Sequence, residues 1–263
     1  YPTNWKSAYY SGAEAGMLRD DDSKPAYSNQ VFSMSVWVKP RPGVATNGDI
    51  FACKGSSWQG VMLGYIGNDL QFQIGDKNTT AVDGGGNSKN GNWSYYENRV
   101  EDASPNYTPY GEWSHIVVVW NGTDSKFYIN ESLVKTVTPP SSLTIDYGQS
   151  PNNSSFGGRN DSTSSTPSSL YYFDGTISNF AYWSSEIDQT AVTALYNNGS
   201  PEASISQSPN HWFTLKDFGE GNVDKVGDLD YSTIHANTGI QFVDTFVSVK
   251  EVTGLNMVEA NLV

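Results

Sequence analysis

The sequence predicts an all-β protein. Short runs of β-branched and aromatic residues recur between turn residues, at roughly the 8–12-residue spacing of sandwiches and barrels. One run, Val31–Lys39, alternates cleanly, with Phe32, Met34, Val36 and Val38 on one face and Ser33, Ser35 and Trp37 on the other. Only one segment, Ser184–Asn198, has helical spacing, through Ile187, Ala191, Val192 or Ala194, and Leu195. One helix in a strand-rich chain argues for β on β, not for alternating α/β.

Each element follows from local pattern. Trp5–Tyr10 and Gly16–Leu18 are predicted as short strands, and Asp20-Asp21-Asp22 interrupts them. Val31–Lys39 ends at Pro40-Arg41-Pro42-Gly43, which cannot continue a ladder. Asp49–Lys54, Gly60–Ile66 and Leu70–Ile74 follow, the last two joined by a tight turn at Gly67-Asn68-Asp69. Thr79–Tyr110 is Gly- and Asn-rich with poor periodicity and is expected to be a long loop, functional or mobile. Ser114–Trp120 is apolar on both faces, as a central covered strand requires; Lys126–Asn130 returns and is expected to be half exposed. Leu143–Tyr147 is a weak strand, Asn152–Ser169 a loop, and Tyr171–Trp183 a strand bent at Asp174-Gly175. Ser184 or Ser185 is expected to cap the helix, with Glu186 and Asp188 favoured at its positive end. Asn198-Gly199 and Pro201 end it. Beyond a linker, 200–210, extended segments are expected at His211–Leu215, Tyr231–Ala236, Gln241–Val243 and Thr245–Val249.

Composition narrows the function classes. The net charge of −13 lacks the basic footprint that nucleic acid demands, and it disfavours anionic membranes. Asp20–Asp22 reads as a solvated loop, with an oxygen-ligand site for a hard cation as the alternative. The single cysteine, Cys53, allows no intrachain disulfide and sits in an apolar run that marks a buried thiol. No stretch reaches the length of a membrane span. Sequons such as Asn121-Gly122-Thr123 and Asn130-Glu131-Ser132 are expected by chance in a chain so rich in Asn, Ser and Thr.

Three blocks in order carry a resemblance: FSMSVWVKP at Phe32–Pro40, EWSHIVVVWNGTDSKFYIN within Gly111–Asn130, and FDGTISNFAYWSSEIDQTAVTALYNNG at Phe173–Gly199. Together they resemble the concanavalin A-like jelly roll, and within it the laminin-G-like branch. The resemblance implies a two-sheet antiparallel sandwich with one short helix near 185–197. It implies a laminin-G-like domain over 1–199 and a C-terminal extension over 200–263 that packs on the sandwich or on a neighbouring subunit. The extension itself, with His211-Trp212-Phe213 and a later Asn-Thr-Gly segment, is similar to appendages of marine phage and bacterial surface proteins. The family usually has Gly after Tyr-x-Asn where this chain has Glu131, and the turn there is expected to have changed type.

Candidate chemistry is sparse. Jelly-roll glycosidases carry Glu-x-Asp-x-x-Glu; here Glu186-Ile187-Asp188 is followed by Ala191 where the second Glu would stand, so the pair of carboxylates is incomplete. His115, His211 and His235 are far apart and show no zinc spacing; His115 falls in the family's structural Trp-x-His pattern. Relatives that hold calcium use Asp, Asn and backbone carbonyls, which makes Asp20, Asp22, Asp49, Asp161 and Asp174 the candidate ligands and calcium the one candidate ion. Trp58, Trp93, Tyr95, Tyr96, Tyr107 and Tyr110 lie in loop-like stretches and are candidates for stacking on sugar rings or on a protein partner. The resemblance, the similarity of the tail and the lack of a catalytic set together imply a non-enzymatic surface or structural module, virion-associated (capsid decoration, fibre or attachment protein) or an extracellular assembly subunit. The alternative is a lectin-like carbohydrate-binding module, with a glycoside hydrolase third. Expected partners are other protein subunits or glycans, in an oligomer or alone, on a virion or at the cell surface.

Overall fold

The computed structural model describes residues 6–11, 17–20, 27–41, 48–53, 60–76, 94–101, 103–139, 142–147, 154–158, 172–201, 205–215, 224–227, 231–234 and 240–244. In chain order the elements are β1 (Lys6–Ser11), β2 (Met17–Asp20), β3 (Phe32–Pro40), β4 (Gly48–Cys53), β5 (Val61–Ile66), β6 (Asp69–Asp76), β7 (Ser94–Val100), α1 (Ala103–Asn106), β8 (Ser114–Trp120), β9 (Ser125–Ile129), β10 (Ser132–Val137), β11 (Ser154–Phe156), β12 (Asp174–Trp183), α2 (Gln189–Tyr196), β13 (His211–Phe213), β14 (Tyr231–Ile234) and β15 (Ile240–Asp244).

They form two antiparallel sheets. Sheet A runs β10-β9-β8-β3-β12-β1-β15, with β13 also pairing β12; sheet B runs β14-β2-β11-β4-β5-β6-β7. Neighbours far apart in sequence, such as β3 with β12 and β4 with β11, give the crossed connections of a jelly roll.

The main core lies between the sheets. Phe32, Met34, Val36 and Val38 of β3 and Ile116, Val118 and Trp120 of β8 meet Phe51 of β4, Leu63 of β5 and Phe72 of β6. The alternation read in Val31–Lys39 therefore points its apolar face inward. The other face of sheet A is buried too: Val117, Val119, Tyr128, Ala181 and Trp183 pack under Ile187, Val192, Leu195 and Trp212. That second layer explains why Ser114–Trp120 is apolar on both faces.

Several expectations are corrected. Residues 94–100, read as part of a long loop, form β7, which pairs with β6 over seven residue positions. The β-propensity of Tyr95-Tyr96 is masked in the sequence by the Gly and Asn that precede them. Phe156 gives the 152–169 stretch a buried strand, β11, too short for a periodic signal. Lys126–Asn130 is not half exposed, because β10 pairs beyond it and α2 covers it; Ser132–Val137 is the edge instead. Leu143–Tyr147 joins neither sheet as a strand; Gln30 holds Ile145 by two amide hydrogen bonds of 3.1 and 2.8 Å. The helix cap is Asp188, whose carboxylate accepts from the Ala191 N–H at 2.8 Å, and not Ser184 or Ser185. Ser185 uses its carbonyl to accept from Ser33 Oγ at 2.8 Å, so the helix begins four residues later than its pattern suggests. Thr245–Val249 and the end of Tyr231–Ala236 lie outside the described residues.

The turn at residue 131 has not changed type. Asn130 and Glu131 have φ of 48° and 66°, the two left-handed residues of a two-residue type I′ hairpin loop between β9 and β10. The environment supports the strain: Asn130 Oδ1 accepts from the His115 N–H at 2.9 Å, and Gln189 Nε2 donates to the Glu131 carbonyl at 2.8 Å.

Candidate functional site

Strand direction gathers one set of chain ends at a single rim of the sandwich. The end of β3, the start of β8 and the start of β12 lie together in sheet A. The start of β4, the β5–β6 turn and the end of β7 lie together in sheet B. Within sheet A, Gly111 N donates to Pro40 O at 2.7 Å and Arg41 N donates to Asp174 O at 3.0 Å, and a backbone bridge between Asp49 of β4 and Tyr172, just ahead of β12, joins the two sheets.

The rim is polar with two aromatic side chains. Tyr107 is 41% exposed, a rarity among the large hydrophobic residues described. It is nonetheless held: its N–H and that of Thr108 both donate to Ala103 O, at 2.6 and 2.8 Å, and Ala103 and Thr108 are buried. The half-buried Tyr110 donates its hydroxyl to Asn68 Oδ1 at 2.8 Å, tying the 107–113 segment to the β5–β6 turn. Next to Asn68, Asp69 pairs with Arg99 at 3.5 Å. Across the rim, Arg41 stands 3.6 Å from Asp174. Burial pushes the Asp174 carboxyl up and the Arg41 guanidinium only partly offsets it; its Oδ1 is buried with no partner.

Of the aromatic candidates, the structure brings Tyr107 and Tyr110 together on this rim. Tyr95 and Tyr96 lie at the start of β7, opposite Gly75 and Ile74 and so toward the other end of the sandwich. Trp58 and Trp93 lie outside the described residues. Of the carboxylates, Asp49 and Asp174 are at the rim, whereas Asp20 ends β2 at the far end, opposite Tyr231. Asp22 and Asp161 lie outside the described residues. Among the described residues no three His, Cys, Asp or Glu side chains converge. Arg41 supplies a positive charge beside Asp174. Asn68, Asp69, Arg99 and Arg41 were not singled out from sequence, because their common position arises only from the strand order.

The motifs that invite catalysis have structural work. Glu186 pairs with Lys126 at 2.6 Å, and Asp188 caps α2. His115 is 1% exposed and packs beside Trp37 and Tyr196, at ring-centroid distances of 5.0 and 6.2 Å, while those two rings stack on each other at 5.9 Å. Its Nε2 is 2.7 Å from Ser35 Oγ, and burial pushes its pKa down to about 3. It is a neutral ring under the helix. His211 Nδ1 lies 2.5 Å from Asp224, whose other oxygen accepts from the N–H groups of Trp212 and Val226 at 2.9 and 3.1 Å. Burial raises the Asp224 carboxyl, but the hydrogen bonds from His211 and the backbone outweigh it and hold it below the usual range. This pair fastens residues 224–227 to β13.

Comparison with known proteins agrees with this architecture. A model of the concanavalin A-like lectin/glucanase superfamily, of laminin-G type, matches residues 18–193. The chain belongs to that family. No curated protein matches. Among solved structures, a native heptameric SAP-like pentraxin from Limulus polyphemus aligns with a TM-score of 0.53 and 14% identity, over 92% of this chain and 96% of the pentraxin. A Bacteroides ovatus protein provisionally described as carbohydrate-binding aligns with a TM-score of 0.60 and 13% identity, over 92% of this chain and 60% of its own. The binding domain of botulinum neurotoxin DC, solved with rat synaptotagmin II, aligns with a TM-score of 0.50 and 19% identity, over 75% of this chain; this chain spans 43% of that one. At these identities the likeness concerns the fold. Among the described residues, no helix is long and apolar enough to cross a membrane.

Proposed function

We propose that this chain is a lectin-like glycan-binding module of the extracellular space or cell surface, with its site on the rim around Tyr107. The observation that carries this reading is an exposed aromatic ring on a backbone pinned by two hydrogen bonds, on the same rim as an amide and two ion pairs. A pyranose offers an apolar C–H face and hydroxyl edges, and an aromatic ring on a rim that also carries carboxylate, guanidinium and amide groups matches both. Pinning the backbone that carries the ring lowers the ordering cost of binding.

Membership in a superfamily that includes lectins, and likeness to a provisionally carbohydrate-binding structure, support the reading. The superfamily also includes glucanases, but Glu186 and Asp188 are engaged at the helix entry, which speaks against hydrolysis by that motif. The virion-surface reading rests on the C-terminal resemblance and draws nothing from the rim geometry, so glycans take precedence over capsid subunits as the partner. A glycan array, run with and without calcium, tests the proposal. Binding to a defined glycan class is expected, and no retention of any glycan in either condition refutes it.

A further inference from the structure

We propose that Asn121-Gly122, in the turn between β8 and β9, is a site of self-modification, where the folded chain converts its own asparagine into an aspartyl or isoaspartyl residue. The reaction joins the Gly122 nitrogen to the side-chain carbon of Asn121. It needs a polarised amide, a free backbone N–H after it and room to close a five-membered ring. The turn provides all of them. Thr123 N and Asp124 N donate to Asn121 Oδ1 at 2.9 and 2.7 Å. Both partners are donors, which fixes the atom they share as the oxygen. These bonds fold the amide back over the Gly122–Thr123 peptide, and they aim two N–H groups at the oxygen on which charge develops when the carbon is attacked. The Gly122 N–H has no hydrogen bond among the described residues. Gly122 itself, at φ 90°, brings no Cβ into the path of the closing ring. Asp124 is held in turn: Thr138 Oγ1 donates to its Oδ1 at 2.6 Å, and Asn121 N donates to its carbonyl at 3.2 Å.

The step balances with water alone. A base in solvent takes the Gly122 N–H proton, the nitrogen's electron pair forms the bond to Asn121 Cγ, and Nδ2 leaves with a proton as ammonia. Water then opens the cyclic imide. Breaking the new bond gives aspartate; breaking the original peptide bond gives isoaspartate, which adds one carbon to the main chain. Either product places a carboxylate in the turn, and isoaspartate also lengthens the connection that sets the Trp120–Ser125 pairing. Asn198-Gly199 is the other Asn-Gly pair that lies wholly among the described residues, and it continues with Ser where this one continues with Thr. There the Gly199 N–H is engaged, donating to Tyr196 O at 2.9 Å. That nitrogen must lose its proton to react, and the carbonyl that accepts its N–H stabilises the unreactive form. Folding therefore separates two asparagines that an unfolded chain would treat alike. The site is independent of the rim reading.

The test incubates the full chain, folded and in urea, at mildly alkaline pH. Peptide mapping follows both asparagines, through the mass gain of amide-to-acid conversion and through labelling by an isoaspartyl-specific methyltransferase. In the folded chain Asn121 should convert faster than Asn198 by about tenfold or more, and in urea the two should convert at similar rates. A smaller ratio in the folded chain overturns the proposal. The same ratio in urea also overturns it, because the difference then belongs to the local sequence and not to the fold.

Discussion

Two adjacent residues in the β9–β10 turn should respond to glycine with opposite signs. Glu131 sits at φ 66°, where an L residue loses roughly 1–2 kcal/mol against the right-handed region. Glycine removes that strain but adds freedom to the unfolded chain, worth roughly 0.5–1 kcal/mol in the other direction. Gln189 donates to the Glu131 carbonyl, and glycine keeps that bond. Glu131→Gly should therefore stabilise by about 0.5–1 kcal/mol, or about 1–4 °C in Tm. Asn130 has φ 48° and gains the same relief, but its side chain caps the N–H of His115 on a buried strand. Leaving that donor unpaired costs about 1–3 kcal/mol, so Asn130→Gly should be destabilising on balance. Calorimetric melts at pH 7 read both. A Glu131→Gly protein that melts lower than the parent refutes the strained-turn reasoning, and an Asn130→Gly protein that melts higher refutes the capping role.

Other outcomes follow from the buried groups. Burial holds His115 near a pKa of about 3, below its unfolded value of 6.5, so the unfolded state binds the extra proton between those values. Its contribution is fully present above pH 6.5 and is lost as pH falls toward 3, at up to about 1.4 kcal/mol per pH unit. Urea melts should show that slope, and a Ser35→Ala/His115→Phe double variant should lack it. Asp224→Ala strips acceptors from His211 and from the Trp212 and Val226 N–H groups. It should cost about 3 kcal/mol, read as a lower Tm, and an unchanged Tm would show that the 224–227 segment is not fastened through this carboxylate.

The fold was legible where side-chain pattern and backbone pairing coincide. FSMSVWVKP and SHIVVVW show both their faces in their residue types, and the blocks around them carry the family's order. The reading failed where pairing, not pattern, makes the element. β7 is a strand because β6 offers it an edge, and β11 is three residues placed between β2 and β4. The Asp188 cap was misplaced because Ser185 satisfies a different partner, Ser33, 152 residues away. The candidate site was half legible. Tyr107 and Tyr110 stood out by type, but Asn68, Asp69, Arg99 and Arg41 come from three separate stretches that only the strand order brings to one rim. Gln71 and Gln73 lie within Leu70–Ile74, predicted only as a short strand; that they are buried is visible only in three dimensions.

The central claim, glycan recognition at the rim, is tested most directly by titration calorimetry with the glycan that the array identifies, comparing the parent chain with Tyr107→Ala. Because Tyr107 is exposed, the variant should melt within about 1 °C of the parent while its affinity falls at least tenfold, a loss of about 1.4 kcal/mol. Equal affinity in a variant of unchanged Tm would contradict the claim.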